Sequence, residues 1–352
     1  MADTIKPYAA LALQIAARSV ERLADRAAAS EQMLAMIEEI GVKLRASAIF
    51  IQQYSGSPVR LAVLPEYFLT SYPGRISIPD FAEKAALDID GPEYEALGKV
   101  AAAQDLFLAG NAYERDPHFP GLYFQTSFVV APSGEVVLRY RRLNSMFAPT
   151  PHDVWSKYLD LYGLEGVFPV ARTEIGNLAA IASEEILYPE IARAHALRGA
   201  EIFVHSSSEI GSPLATPKQI AKRARAFENI AYVVSANTAG IEGTAMPLAS
   251  ADGNSTIIDY KGNPLAESSP GETFTAFSDL DMNALRAQRR KPGMTNFLAR
   301  QRLDLFAPVY GGEAPQPANS LIADGVAKIP DRDHFLRVQE EVIDRLSKEG
   351  LI

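Results

Sequence analysis

The chain has 352 residues, of which 47% are apolar and 22% are charged, and its formal net charge is −9. This composition is typical of a globular protein, and the negative charge argues against non-specific binding of nucleic acid or of a membrane surface. The chain has no cysteine, which excludes disulfides, thiolate metal sites and a thiol nucleophile. It shows neither a signal-peptide pattern nor a run of about 18 apolar residues, so we expect a cytoplasmic protein.

Strand and helix patterns alternate along most of the chain. In chain order we predict a strand at 8–14, a helix at 19–46, a strand at 60–65, a helix at 93–104, strands at 106–111 and 124–131, a strand beginning at 135–139, a strand at 178–182, a helix at 190–198, a strand at 202–205, a helix at 217–229, strands at 232–236, 255–259 and 274–279, and a helix at 281–290. Segment 146–166 has mixed character and is predicted to be a structured loop. No linker or repeat interrupts the alternation, which favours one α/β domain with helices covering sheets.

The C-terminal part of the sequence differs from the rest. Segment 311–318 (GGEAPQPA) is rich in glycine and proline, and 331–349 has the pattern of a terminal helix. A tail of this length is too short to fold alone. We expect it to pack on the domain or on a partner subunit.

Three polar residues stand where predicted strands end. Glu66 directly follows the strand at 60–65, where a carboxylate suits proton transfer, although a solvated loop residue is the alternative. Arg142 ends the basic run LRYRR, whose simpler interpretation is a solvated edge. Ser183 lies between a strand and a helix, an elbow that exposes nucleophiles. No G-x-S-x-G surrounds it, and a helix-capping serine is the alternative.

Six ordered stretches carry a resemblance to one family. They are YAALALQ, LAVLPEYF, GEVVLRYRRL, IASEEILYPEIARAHALRGAEIFVHSSS, RARAFENIAYVVSANTAG and GNSTIIDYKGNPLAE. Together they resemble the carbon-nitrogen hydrolase (nitrilase) superfamily of amidases, nitrilases, carbamoylases and formamidases. The resemblance implies a four-layer α-β-β-α sandwich over residues 1–306, a C-terminal extension over 307–352, and a homodimer or larger homo-oligomer.

The resemblance also implies a mechanism. In the family a cysteine thiolate attacks the carbon of an amide or nitrile, a glutamate acts as base, and a lysine stabilises the developing anion. Glu66 matches the glutamate, Arg142 stands at the position of the lysine, and Ser183 stands at the position of the cysteine.

Further candidates line the implied substrate pocket. Glu184 would offer the backbone N–H that follows the nucleophile to an oxyanion. Asp153, in HDVW, is the candidate for a second acid of the family, with Glu165 as the alternative. Trp155, the only tryptophan, is a candidate pocket wall, and core packing is its alternative.

Polar residues at two other predicted strand ends are also candidates. His205 ends one strand, and Asn237 and Thr238 follow another, so each is positioned to line a pocket. His195 is interpreted as a packing or surface residue. The histidines show no metal-ligand spacing and no glycine-rich phosphate loop follows a strand, so we expect no metal and no cofactor.

The two departures from the family pattern affect the chemistry. A serine hydroxyl is more basic than a thiol and needs a good base, and an ion pair between Glu66 and Arg142 would reduce the use of that carboxylate as a base. Two changed positions favour natural divergence over a single engineered change. The sequence therefore predicts a carbon-nitrogen hydrolase acting on a small amide, nitrile or carbamoyl compound through an intermediate on Ser183. The alternative is a non-catalytic ligand-binding or partner-binding member of the same fold.

Overall fold

The computed structural model describes residues 4–212, 214–312, 314–331 and 333–352. The strands of the described residues are β1 Tyr8–Ala12, β2 Ala17–Arg18, β3 Val59–Val63, β4 Phe107–Arg115, β5 Tyr123–Val130, β6 Val136–Arg141, β7 Ala171–Thr173, β8 Gly176–Ala182, β9 Ile202–Ser207, β10 Tyr232–Asn237, β11 Ile241–Glu242, β12 Thr256–Ile258, β13 Pro264–Glu267, β14 Phe277–Leu280, β15 Ile322–Ala323 and β16 Val326–Ala327. The helices are α1 Arg26–Ser55, α2 Ile78–Ala85, α3 Pro92–Gln104, α4 Trp155–Val167, α5 Pro189–Leu197, α6 Pro217–Asn229, α7 Met282–Arg290, α8 Ala307–Tyr310 and α9 His334–Lys348. Short 3-10 turns occur at Pro151–Val154, Ser183–Leu187, Leu248–Ser250 and Leu303–Leu305.

Most strands belong to two six-stranded sheets. Sheet one has the order β14-β1-β3-β4-β5-β6, and sheet two has the order β13-β12-β10-β9-β8-β7. The centre of each sheet is parallel, through β1, β3 and β4 in sheet one and through β8, β9 and β10 in sheet two. Parallel neighbours need a crossover connection, usually a helix, which explains the alternation of strands and helices in the sequence.

The side chains of β1 show how the layers stack. Ala9 and Leu11 belong to the core beneath α1, whereas Tyr8 and Ala10 belong to the core shared with sheet two. Successive strand residues point to opposite faces, so both faces of sheet one are buried. Helices α1, α2 and α3 pack on sheet one, and α5 and α6 pack on sheet two. The predicted α/β sandwich is therefore confirmed.

The prediction of a loop over 146–166 is wrong in its second half. Residues Trp155–Val167 form α4, which buries Tyr158 and Val167 in the core. Gly163 interrupts the helix with φ +59°, a left-handed conformation that glycine adopts at little cost. This interruption weakens the helical periodicity, which is why the sequence pattern was too mixed to predict a helix.

The C-terminal segment makes contacts with the rest of the chain. The backbone N–H of Asn319 donates to the carbonyl of His152 at 2.9 Å, and the side chain of Phe335, in α9, lies in the core on the α1 side of sheet one. Within the described residues, no helix is both long and apolar enough to cross a membrane.

Candidate active site

Strand ends from both sheets meet at one place. Glu66 lies just beyond β3 and Arg142 directly follows β6, both in sheet one, while Ser183 directly follows β8 in sheet two. The backbone N–H of Glu66 donates to the carbonyl of Ser207, the last residue of β9, at 3.3 Å. This hydrogen bond joins the two sheets at the point where the polar side chains gather.

Glu66 and Arg142 form a buried ion pair. Their residues are 3% and 9% exposed, and Arg142 Nη1 lies 3.4 Å from Glu66 Oε1. Gln125 bridges the pair, because its Nε2 donates to Glu66 Oε1 at 2.7 Å while its Oε1 accepts from Arg142 Nη1 at 2.5 Å. The hydroxyl of Ser208 donates to the other carboxylate oxygen, Glu66 Oε2. The carboxylate is thus held by neighbours from both sheets.

The guanidinium of Arg142 has partners on its other sides as well. Its Nε donates to the carbonyl of Asn144 at 2.6 Å, and its Nη2 pairs with the carboxylate of Glu184. Burial lowers the pKa of Arg142, but the charges of Glu184 and Glu66 outweigh burial and hold that pKa above its ordinary value. Guanidinium has five N–H donors, so these contacts leave at least one for a developing anion.

Ser183 occupies a strained and buried elbow. It directly follows β8 and begins the 3-10 turn Ser183–Leu187 with φ +46°, and it is 4% exposed. A residue other than glycine in this left-handed conformation costs on the order of 1–3 kcal/mol, and such strain is concentrated at functional sites. The backbone therefore presents the hydroxyl in a direction that an ordinary strand exit would not.

His205 holds the backbone of Ser183 in this conformation. Its Nε2 lies 2.8 Å from the carbonyl oxygen of Ser183, and its Nδ1 lies 2.8 Å from Ser235 Oγ. A carbonyl can only accept, so Nε2 carries the proton and Nδ1 accepts from the hydroxyl of Ser235. Burial lowers the pKa of His205 well below its ordinary range, with Lys222 adding to the effect. His205 is therefore a neutral positioning residue.

Lys218 contacts the hydroxyl of Ser183, which the sequence analysis did not predict. It lies in the first turn of α6, and its Nζ donates to Ser183 Oγ at 2.9 Å and to Ser207 Oγ at 3.3 Å. The sequence signal was small: a lysine just after the Thr216 cap of a helix that follows β9. Such a helix begins beside the strand ends, where its first side chains reach the site.

Glu185 anchors the chain that carries Arg142. Its Oε1 accepts from the backbone N–H groups of Leu143 and Asn144 at 2.7 and 3.0 Å, and its Oε2 accepts from the hydroxyl of Tyr140 at 2.8 Å. Burial raises the pKa of Glu185 to about 7, although Arg142 and these donors act in the opposite direction. The second glutamate of the Ser-Glu-Glu run therefore links the turn after β8 to the exit of β6.

The raised pKa of Glu185 predicts a pH-dependent stability. The folded chain keeps a proton up to pH about 7 that the unfolded chain releases near its ordinary value of 4.5, so stability falls as pH rises through this window. The fall should reach about 3 kcal/mol, because each pH unit between these two pKa values corresponds to about 1.4 kcal/mol. Urea unfolding of Glu185→Gln at pH 5 and pH 8 should lack this fall, whereas Glu38→Gln, on the exposed side of α1, should keep it. Equal pH dependence in both variants would contradict the assignment.

Asp153 and Trp155 lie in the segment between β6 and β7. Asp153 Oδ2 accepts from the backbone N–H and the hydroxyl of Thr150 at 2.8 and 2.7 Å, and its Oδ1 accepts from Ser320 at 2.6 Å. Both oxygens thus serve a capping box and the C-terminal segment, a role the sequence analysis did not predict. Trp155 is partly buried against the core beside His152. Within the described residues, neither side chain hydrogen-bonds to the Glu66–Arg142 pair.

The side chains of Asn237 and Thr238 hydrogen-bond to backbone groups. The Nδ2 of Asn237 donates to the carbonyls of Glu209 and Gly253 at 2.9 and 2.8 Å, and its Oδ1 accepts from the backbone N–H of Glu209 at 2.7 Å. Thr238 donates to the carbonyl of Gly240 at 2.8 Å. Asn237 therefore braces the loop after β9.

Glu165 and His195 lie away from the strand ends. The side chain of Glu165 is 86% exposed and pairs with Arg198 on the surface. His195 is buried with its ring against Tyr140 and Phe168, as a packing residue would be. Burial lowers the pKa of His195 to about 3, so its imidazole is neutral at physiological pH.

The protein is an α/β sandwich whose two sheets lie between helix layers. Polar residues gather at the strand ends where the sheets meet, as the sequence predicts for a hydrolase. The chain matches the family Carbon-nitrogen hydrolase over residues 9–290 and belongs to that family. This membership places it in the amidase and nitrilase class of hydrolases.

Similar proteins span nearly the same length. The omega-amidase NIT2 of Mus musculus is 23% identical over 256 residues, which cover 73% of this chain and 88% of the relative. A formamidase of Bacillus cereus (strain Q1) is 26% identical over 284 residues, or 79% of each chain. The crystal structure of Nit3 from Saccharomyces cerevisiae, of the nitrilase superfamily, superposes with a TM-score of 0.62 at 18% identity and covers 83% of this chain and 96% of its own. At that identity the structural match supports the fold alone.

Proposed function

We propose that the chain hydrolyses the carbon–nitrogen bond of a small amide through an acyl intermediate on Ser183. The observation that carries the proposal is the buried hydroxyl of Ser183 at a strained elbow. The next residue, Glu184, pairs through its carboxylate with Arg142, which also pairs with Glu66. Relatives named omega-amidase and formamidase support an amide over a nitrile or a carbamoyl compound.

Each group of the site has a proposed part in the reaction. Ser183 Oγ attacks the carbonyl carbon, and negative charge develops on the carbonyl oxygen. The remaining N–H of Arg142 and the backbone N–H of Glu184 would donate hydrogen bonds to this oxygen. Preorganised donors of this kind are usually the largest single contribution to an enzyme's rate enhancement. Glu66, fixed by its neighbours, would orient the nitrogen of the amide. The proton of the Ser183 hydroxyl reaches the leaving nitrogen as the C–N bond breaks, which releases ammonia or an amine. Water then releases the carboxylic acid from the acyl ester and restores the hydroxyl.

One observation favours a second candidate function, a non-catalytic binding protein on the same scaffold. The carboxylate of Glu66 is already engaged by Gln125, Arg142 and Ser208. A network with its hydrogen bonds satisfied can shape a pocket for a ligand without performing a reaction. Amide binding by calorimetry without release of a carboxylic acid would favour this candidate.

The proposal is tested by trapping the intermediate on the full-length chain. Small aliphatic amides, from formamide upward, are mixed with the protein, quenched in acid and analysed by intact-mass and peptide mass spectrometry. We expect a mass increase equal to the acyl group on the peptide that contains Ser183. Ser183→Ala should show no increase while keeping its melting temperature. Hydrolysis is rejected if no amide in the panel yields acyl-protein or free acid.

We also propose a homodimer and a C-terminal extension that packs on the hydrolase domain. The dimer is supported by large apolar side chains left exposed on and around α5, α6 and α8, which monomers rarely leave in one region; they include Leu187, Leu197, Ile220, Phe227 and Phe306. The packing of the extension, 307–352, is supported by the bond from Ser320 to Asp153 at 2.6 Å and by the burial of Phe335. The cytoplasmic location stays a prediction of the sequence.

A further inference from the structure

Lys218 lies against the hydroxyl of Ser183, and the family resemblance assigns it no part. Its Nζ is 2.9 Å from Ser183 Oγ and 3.3 Å from Ser207 Oγ, so one amine contacts two hydroxyls. The residue is half-buried in the first turn of α6. Its position beside the proposed nucleophile therefore needs a chemical explanation.

The carboxylate of Glu66 is poorly placed to take the proton of Ser183. Its Oε1 accepts from Gln125 at 2.7 Å and pairs with Arg142, and its Oε2 accepts from Ser208. Among the contacts of the described residues, neither oxygen hydrogen-bonds to Ser183 Oγ. A general base must lie within hydrogen-bond reach of the proton it removes. Lys218 Nζ meets this requirement at 2.9 Å.

We propose that Lys218 is the general base for Ser183, so that the two residues act as a serine–lysine pair. The inference rests on the proposed function, because it concerns how Ser183 becomes the nucleophile of amide hydrolysis. Serine–lysine arrangements perform the same chemistry on unrelated folds. The pair explains how a chain without cysteine can use a hydroxyl as its nucleophile. A serine hydroxyl needs a nearby base more than a thiol does, and the amine of Lys218 is that base.

The proton and the bonds balance through both half-reactions. The neutral amine of Lys218 accepts the Oγ–H proton of Ser183 while the bond from Oγ to the carbonyl carbon forms. The resulting ammonium gives that proton to the amide nitrogen as the C–N bond breaks, which releases ammonia or an amine. Water then attacks the acyl ester, gives its proton to the amine, and the ammonium returns it to Oγ as the acid leaves. The hydroxyl of Ser207 accepts one N–H of Lys218 throughout and so orients the lone pair of Nζ.

The charged and titratable groups around Lys218 come from its own helix, from β9 and from the turn after β8. Lys222 lies one helical turn away, and His205 lies on β9. Glu184 and Glu185 lie in the 3-10 turn that packs against α6. Lys222 and both glutamates have their own ion-pair or hydrogen-bond partners. Lys218 is the one of these ionisable side chains that bonds to the hydroxyl of Ser183.

The test measures the reactivity of Ser183 without an amide. An alkyl phosphonofluoridate forms a P–O bond with an activated serine and releases fluoride, and intact-mass spectrometry follows the rate on the full-length chain. The variants are Lys218→Met, which removes the amine, and Lys218→Arg, which keeps a charge that cannot be deprotonated. Ser183→Ala is the blank. Lys99→Met is the matched control, because Lys99 is 75% exposed on α3.

We expect both Lys218 variants to be labelled at least tenfold more slowly than the natural chain, with melting temperatures close to it. Lys99→Met should react within twofold of the natural rate. The pair is overturned if either Lys218 variant reacts within threefold of the natural chain, or if Ser183 of the natural chain is not labelled.

The labelling experiment separates this inference from the proposed function. Labelling of Ser183 that depends on Lys218, in a chain that turns over no amide, would reject amide hydrolysis and leave the pair standing. Amide turnover that persists in both Lys218 variants would keep the function and reject the pair. Lys218→Arg keeps a long basic side chain that cannot act as a base, so it decides the matter even if the methionine variant does not fold.

Discussion

Replacing Lys222 with methionine is expected to lower the free energy of unfolding by about 3–5 kcal/mol, the usual cost of leaving one partner of a buried ion pair alone. Lys222 is fully buried, and its ammonium donates to Glu209 Oε1 at 2.5 Å and to the carbonyl of Asn254 at 3.2 Å. Burial lowers the pKa of Lys222, and the charge of Glu209 acts against that shift. Among the described residues, the methionine would leave the buried carboxylate of Glu209 with one side-chain donor, the hydroxyl of Thr216 at 3.1 Å.

Urea unfolding measures this cost, and a second variant shows its origin. Lys222→Met combined with Glu209→Leu should recover most of the loss, because an apolar pair often replaces a buried ion pair without penalty. The control is Lys99→Met, which removes an exposed ion pair with Glu95 and should leave the urea midpoint close to that of the natural chain. A cost in Lys222→Met no greater than in this control would show that the ion pair does not hold α6 to the loop after β9.

The same ion pair matters for the site, because it lies one helical turn from Lys218. Thr216 caps the first turn of α6 and also bonds to Glu209, so the helix start and the loop after β9 are fixed together. A helix whose first turn is held in this way can present a lysine to a strand end with little freedom. The contacts of Glu209 with Lys222 and Thr216 therefore both stabilise the fold and position Lys218.

The two sheets could be predicted because their strands carry simple patterns. Strands β8, β9 and β10 lie at the centre of sheet two and are buried on both faces, so they appear as short, continuous apolar runs. Helix α6 shows the capping box of Thr216 and Gln219, which marks its start in the sequence. Apolar runs and capping boxes are local patterns, so the sequence predicted the elements and an α/β class, whereas the four-layer arrangement of the sheets came from the family resemblance.

The contacts of Asp153 show what a sequence match does not reveal. The residue stands three positions after Thr150, and their side chains form the reciprocal bonds of a capping box. This pattern was present in the sequence and would have predicted a structural role. The family resemblance suggested a second acid at Asp153, and a motif gives no information on whether a carboxylate already has hydrogen-bond partners.

Lys218 could not be predicted because its contact is made by tertiary packing. The helical pattern at 217–229 predicts which residues form α6, but not the angle at which the first turn meets the end of β8. The contact with Ser183 Oγ at 2.9 Å depends on that angle. The same holds for Gln125, a residue of β5 whose side chain bridges Glu66 and Arg142.

Replacing Glu66 with glutamine is expected to lower kcat/KM for amide hydrolysis by about 10²–10³-fold, the usual effect of removing one preorganised electrostatic partner. Glutamine has the same size, its amide oxygen can still accept from Gln125 Nε2, and its amide nitrogen can donate to the hydroxyl of Ser208, so the fold should persist. It has no charge to hold Arg142 Nη1, which lies 3.4 Å from Glu66 Oε1 in the natural chain. The guanidinium would then shift towards Glu184, and its remaining N–H would no longer point at the carbonyl oxygen of the amide.

Steady-state kinetics on the best amide of the panel provide the measurement, with Glu95→Gln as the matched control because Glu95 is an exposed residue of α3. The loss in Glu66→Gln should lie in kcat rather than in KM, since the partner acts on charge that develops in the transition state. The control should keep its activity within twofold. If Glu66→Gln retains more than about a fifth of the natural kcat/KM, a loss below 1 kcal/mol, then Glu66 only shapes the pocket. Lys218 and Arg142 would in that case carry the reaction on Ser183 without it.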